Sequence, residues 1–130
     1  MKTAQTTRHF VTTCLLSLLT TIVLFTPQAY AETYVAGQLF TRIDSFVTAN
    51  GLGIALPGEC GLQIYPGHPQ KYRKPDALFI ASGRLPGDRV PEGHIRIPPD
   101  LVVESISPHD IASDIETKVR EYLEAGVRMV

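Results

Sequence analysis

Two stretches decide the fold: Lys74–Gly83, KPDALFIASG, and Pro98–Val127, PPDLVVESISPHDIASDIETKVREYLEAGV. Each opens with a short apolar run, as a buried strand does. Each run also carries a carboxylate that a plain buried strand would not choose, Asp76 in the first and Glu104 in the second. Glu104 sits within LVVESI and shares a strand face with Val102 and Ile106 by the two-residue period. A carboxylate there is costly unless it is paired or binds a cation. The stretch that follows is helical in pattern. On a wheel of about 100° per residue, Lys118 falls inside the stripe formed by Ile111, Ile115, Val119, Tyr122 and Ala125. Two acids and a lysine on neighbouring core elements are what metal-assisted phosphodiester hydrolysis needs. The acids hold a hard divalent cation through oxygen, and the cation activates water and offsets developing negative charge. The lysine offers a compact positive charge to phosphate or water.

The rest of the chain supplies layers around these elements. Val35, Leu39, Ile43, Phe46 and Val47 recur at helical spacing, predicting a helix over Tyr34–Ala49 that Asn50-Gly51 stops. Leu52–Tyr65 reads as strand interrupted by Pro57-Gly58, with Cys60, Leu62 and Ile64 alternating against Gly61 and Gln63. Pro66-Gly67-His68-Pro69 is a turn, and Ala77–Ile80 a short strand entered from Pro75. Gly83–Pro99 holds four prolines and three glycines, which predicts a long surface loop. Leu101–Ile106 is the best strand pattern and is read as central. Ser107 is read as the cap of the following helix, with Pro108 at its first position, Asp110 completing a capping box, and Gly126 ending it. A further strand is expected to begin at Val127.

These residues, densest in PPDLVVESISP and KVREYLEAGVR, resemble the Uma-type restriction endonuclease family, a branch of the PD-(D/E)xK nuclease superfamily. The resemblance covers roughly Tyr34–Val130. It implies an α/β, restriction-endonuclease-like layered domain: a central mixed sheet flanked by helices. It also implies DNA as partner and Mg²⁺ or Mn²⁺ as cofactor, in the cytoplasm. Asp76 and Glu104 would be the metal ligands and, with Lys118, the catalytic residues. The superfamily places its lysine two residues after the second acid. Here Ile106 holds that position, so the resemblance implies a lysine that has moved to the helix as Lys118. The simpler reading of Lys118 is a snorkelling side chain whose stem covers core. Glu59 is a candidate additional ligand, against the plainer reading of an edge residue facing solvent. Lys71, Arg73 and Lys74 form a candidate grip on the nucleic-acid backbone, against the plainer reading of a solvated charge run.

Other features limit the range of functions. The formal net charge is −1, so there is no chain-wide basic footprint for nucleic acid. The four histidines are scattered without zinc-site spacing. Residues 1–31 carry a basic start at Lys2 and Arg8, an apolar run from Phe10 to Phe25 and a small-x-small Ala29-Tyr30-Ala31, the pattern of a secretory signal peptide. Its removal would leave residues 32–130 as the domain, with Cys60 the remaining cysteine, no internal disulfide and no membrane span. Export and the cytoplasm are therefore competing expectations. The family continues into a core strand beyond the position of Val130, which makes a partial domain the expectation here. A non-catalytic module keeping the fold and a small exported domain are the alternatives to a nuclease. A homodimer is left open.

Overall fold

The computed structural model describes residues 29–130. In chain order the elements are α1 (Ala29–Ala49), β1 (Gly53–Pro57), β2 (Ala77–Ala81), β3 (Leu101–Val103) and α2 (Ala112–Glu124), with one 3-10 turn at Pro86–Asp88. The signal-like segment lies largely outside the described residues, and α1 begins five residues ahead of the helix expected from Tyr34.

Both helices end in the same way. Gly51 takes φ 58°, Gly51 N–H donates to Thr48 and Leu52 N–H to Val47. At α2, Gly126 takes φ 95°, Gly126 N–H donates to Leu123 and Val127 N–H to Tyr122. These are Schellman closures, which use glycine because its backbone enters the left-handed region without a Cβ penalty. The start of α2 departs from expectation. Only half of the capping box forms: Ser107 N–H donates to Asp110 Oδ2 at 2.6 Å, while the Ser107 hydroxyl accepts from His109 N–H at 3.1 Å rather than from Asp110. They close a separate turn, and the helix begins afterwards, with Ile111 at its N-cap and no side-chain cap.

The strands form an antiparallel sheet in the order β1-β2-β3. The register pairs Gly53 with Ala81 through Pro57 with Ala77, and Ala77 with Val103 through Phe79 with Leu101. Alternation divides the core into two layers. Ala77, Phe79, Leu101 and Val103 face α1, packing with Ile43 and Val47. Leu78, Ile80 and Val102 face α2 and the long loop, packing with Tyr122, Val127, Leu62, Leu85 and Ile95. Each fully buried apolar side chain contributes about 1.5–3 kcal/mol, so both helix layers are needed to hold so short a sheet.

Four expectations change in detail. The described strands pair antiparallel throughout, where a mixed sheet was expected. The segment from Val127 forms no strand, although Val102 N–H donates to Met129 carbonyl at 2.9 Å along the outer edge of β3. And β3 stops at Val103 rather than Ile106. Two more steps of the register would set Ser105 against Pro75, which has no N–H for the ladder. The Gly83–Pro99 loop is more than surface, since Leu85 and Ile95 are buried and Leu62 bridges both Arg73 and Ile95.

Candidate functional site

The site lies where β2 and β3 lose their pairing. One step beyond the Ala77–Val103 pair, the register sets Asp76 opposite Glu104. Alternation puts both on the face of Leu78 and Val102, the face that α2 covers. Like charges directly opposite each other destabilise a sheet, and here each carboxylate has its own compensation. Asp76 Oδ2 accepts the Ser105 N–H at 2.5 Å and the Ser105 hydroxyl as well. Glu104 Oε1 accepts the Tyr122 hydroxyl at 2.6 Å, and Oε2 accepts Lys118 Nζ at 3.2 Å.

Lys118 and Tyr122 are one turn apart on α2, so they project side by side. Tyr122 is fully buried, while the Lys118 side chain is 38% exposed and that of Glu104 18%. The lysine therefore reaches from the apolar stripe to the carboxylate at the rim. Burial pushes the Tyr122 hydroxyl well above the ordinary tyrosine range, and the Glu104 carboxylate it donates to adds to the shift. Tyr65 packs behind it with the rings tilted by 42° at a centroid distance of 6.4 Å. The Tyr65 hydroxyl is buried with no hydrogen-bond partner among the described residues. Burial raises its pKa to about 12 against the opposing pull of Arg73.

A cleft of about 220 Å³ opens beside these groups. Glu104, Lys118 and Tyr122 line it together with Ser105, Asp110 and Asp114. Ile106, two residues after Glu104, is 62% exposed and also borders the cleft.

The remaining sequence candidates pair with groups other than the two acids. Glu59 occupies a turn at φ 74°, has an exposed side chain and pairs with Lys74. Lys71 Nζ donates to Glu121 Oε1 at 2.6 Å, and Arg73 donates through Nε at 3.0 Å and through Nη2 to Oε2 of the same residue. These hydrogen bonds hold the Glu121 carboxyl below the usual range. The cluster is thus a fastening between the segment before β2 and α2. Sequence reading missed Ser105 and Tyr122 as partners of the acids. Tyr122 had a signal, four residues after Lys118 in the same stripe, but an aromatic in an apolar stripe reads first as core.

Among the described residues no helix is long and apolar enough to cross a membrane. No curated protein matches this chain. One family profile does: Uma2, described as "Putative restriction endonuclease", matches residues 20–130. The match begins inside the segment that reads as a secretory signal and runs through both acids, Lys118 and Tyr122. Covering most of the sequence, it shows that this chain belongs to the Uma2 family.

Proposed function

We propose that this chain is a metal-dependent endonuclease that hydrolyses DNA phosphodiester bonds, with Asp76, Glu104 and Lys118 as its working residues. The observation that carries the reading is the Glu104–Lys118 contact at 3.2 Å on the wall of a cleft, with Asp76 bonded to Ser105, the residue next to Glu104. Family membership supports it at the level of a nuclease.

The donor set suits a hard cation. No group of three or more His, Cys, Asp and Glu side chains is assembled for a metal among the described residues, which disfavours a closed zinc site. Two carboxylates are enough for Mg²⁺ or Mn²⁺, which keep waters and take substrate phosphate oxygens as further ligands. Asp76 receives both of its hydrogen bonds on Oδ2, leaving Oδ1 to a cation, and Glu104 would be the second ligand. A bound ion would supply an activated water and charge compensation at phosphorus. Lys118 presents its ammonium at the cleft, where it would offset negative charge gathering on the phosphate oxygens. Glu104 holds the ammonium in place until substrate arrives. For Lys71, Arg73 or Lys74 to grip the DNA backbone, phosphate would have to displace Glu121 or Glu59 from them.

Purified full chain incubated with plasmid and single-stranded DNA in Mg²⁺ or Mn²⁺ should cut, and both Asp76→Ala and Glu104→Ala should abolish cutting and calorimetric Mn²⁺ binding. A folded chain that neither cuts DNA nor binds Mn²⁺ sinks the proposal. That result would favour a non-catalytic module, a reading to which Ile106 in the usual lysine position lends some support. A mature species beginning at Glu32 in cell fractions would favour the exported domain instead.

A further inference from the structure

Tyr122 is the one side chain on α2 that is both fully buried and bonded to a site carboxylate. A tyrosine placed only to fill this core has no need of its hydroxyl, and phenylalanine would fill the same space without a polar atom to bury. The hydroxyl instead reaches Glu104 Oε1 at 2.6 Å. Lys118, one turn earlier, takes Oε2 at 3.2 Å. A single helix therefore grips both oxygens of one carboxylate. Two contacts fix the plane of that carboxylate, where one would leave it free to turn about its last bond. The fixing is needed because β3 has already ended at Val103. Glu104 stands on backbone that the strand ladder no longer holds.

The two contacts are not equivalent. Lys118 is partly exposed, and substrate phosphate would compete for its ammonium. Tyr122 is fully buried, and its hydroxyl is bonded to Oε1 where substrate does not compete for it. Its hydrogen bond persists when Lys118 is drawn away.

We infer that Tyr122 is a positioning residue, whose hydroxyl holds the Glu104 carboxylate in its ligating orientation while Lys118 turns to the substrate. This rests on the nuclease reading for Glu104 as a metal ligand and goes beyond it in assigning a function to the tyrosine. Partners that orient a ligand from behind typically change metal affinity or activity by about 10–100-fold.

Tyr122→Phe in the full chain removes the hydroxyl and keeps the ring. Calorimetric Mn²⁺ affinity should fall by about 10–100-fold, and cleavage at subsaturating Mn²⁺ should fall with it. KM for DNA should stay unchanged, and raised Mn²⁺ should restore the rate. Thermal melts of Tyr122→Phe, Glu104→Gln and the double variant give a readout independent of metal. The shifts should be non-additive, because each single change breaks the same bond. Wild-type Mn²⁺ affinity in Tyr122→Phe, or strictly additive melting shifts, overturns the inference while leaving the nuclease reading standing. A wild-type chain that binds no Mn²⁺ takes both down together.

Discussion

Ser105 gives Asp76 two hydrogen bonds on the same oxygen, one from its backbone N–H and one from its hydroxyl. The residue directly after Glu104 thereby ties down the carboxylate opposite Glu104. Where Pro75 interrupts the ladder, a side chain takes over the strand-to-strand link. Ser105→Ala should remove one of the two donors and destabilise the fold by about 1.5–3 kcal/mol, the range for a hydrogen bond to a charged group. Ser105→Thr should retain most of the stability. Urea unfolding checks both, and an unchanged midpoint in Ser105→Ala would show that the hydroxyl contributes nothing.

Lys118 separates packing from chemistry. Lys118→Met keeps the apolar stem, and an ion pair this exposed contributes only about 0–1 kcal/mol, so stability should move by no more than about 1 kcal/mol. Turnover should drop by on the order of 10²–10³. Lys118→Arg should also be severely impaired, because a planar guanidinium does not reproduce a compact ammonium. Near-normal cleavage by Lys118→Met would remove the residue from the site.

Acid titration should report the two buried-edge fastenings. The Glu121 carboxyl is held below the ordinary glutamate range by its bonds from Lys71 and Arg73. The Asp100 carboxyl lies below the ordinary aspartate range because, although burial works the other way, bonds from the Ala81 N–H, Arg84 and Arg128 outweigh it. A carboxyl lowered on folding stabilises in full above its unfolded pKa, and that contribution is lost as pH falls through the folded value. Stability should therefore decline as pH falls below about 4.5. Glu121→Gln should flatten the upper part of that decline in a series of melts. A profile identical to wild type would mean the Glu121 bonds do not persist in solution.

Gly53 opens β1 at φ 146°, and a Cβ there would lie 2.1 Å from the Ile80 carbonyl oxygen. Both the backbone conformation and the close approach exclude a side chain. Gly53→Ala should cost about 3 kcal/mol or more, the upper range for single substitutions, and should be visible as a loss of soluble folded chain. Gly58→Ala, whose nearest neighbour would be 3.4 Å away, is the mild control.

The strand pair β2 and β3, both helices and their glycine stops were legible because periodicity and backbone-special residues carry them directly. The acid pair with Lys118 was legible as a set of residues out of place in apolar surroundings, and the structure brings Glu104 and Lys118 together. What stayed hidden depended on side-chain tips. Nothing in LVVESI says that Ser105 turns back to Asp76, and nothing in REYLE says that a core tyrosine ends on a carboxylate. Ser107-Pro108-His109-Asp110 misled for a local reason, since its capping bonds satisfy a turn as well as a helix end. The loop misled for a tertiary one: composition marked Gly83–Pro99 as surface, while the two apolar residues Leu85 and Ile95 were claimed by the core.

Those two anchors divide the loop into parts with different freedom to change. Leu85 is buried, Ile95 is buried, and Pro86–Gly93 between them is exposed throughout. Around Ile95 the chain is held on both sides, Ile95 N–H to Gly61 carbonyl and Gln63 N–H to Ile95 carbonyl, each at 2.8 Å. Extra residues added between Arg89 and Gly93 would lengthen a loop whose ends are already fixed. Each doubling of such a loop costs only about 0.6 kcal/mol in closure entropy. The same addition beside Ile95 would pull a core side chain out of register. The Arg89–Gly93 tip is accordingly where this chain can carry an inserted tag, or accept a protease cut, without disturbing the carboxylates at the far end of β2.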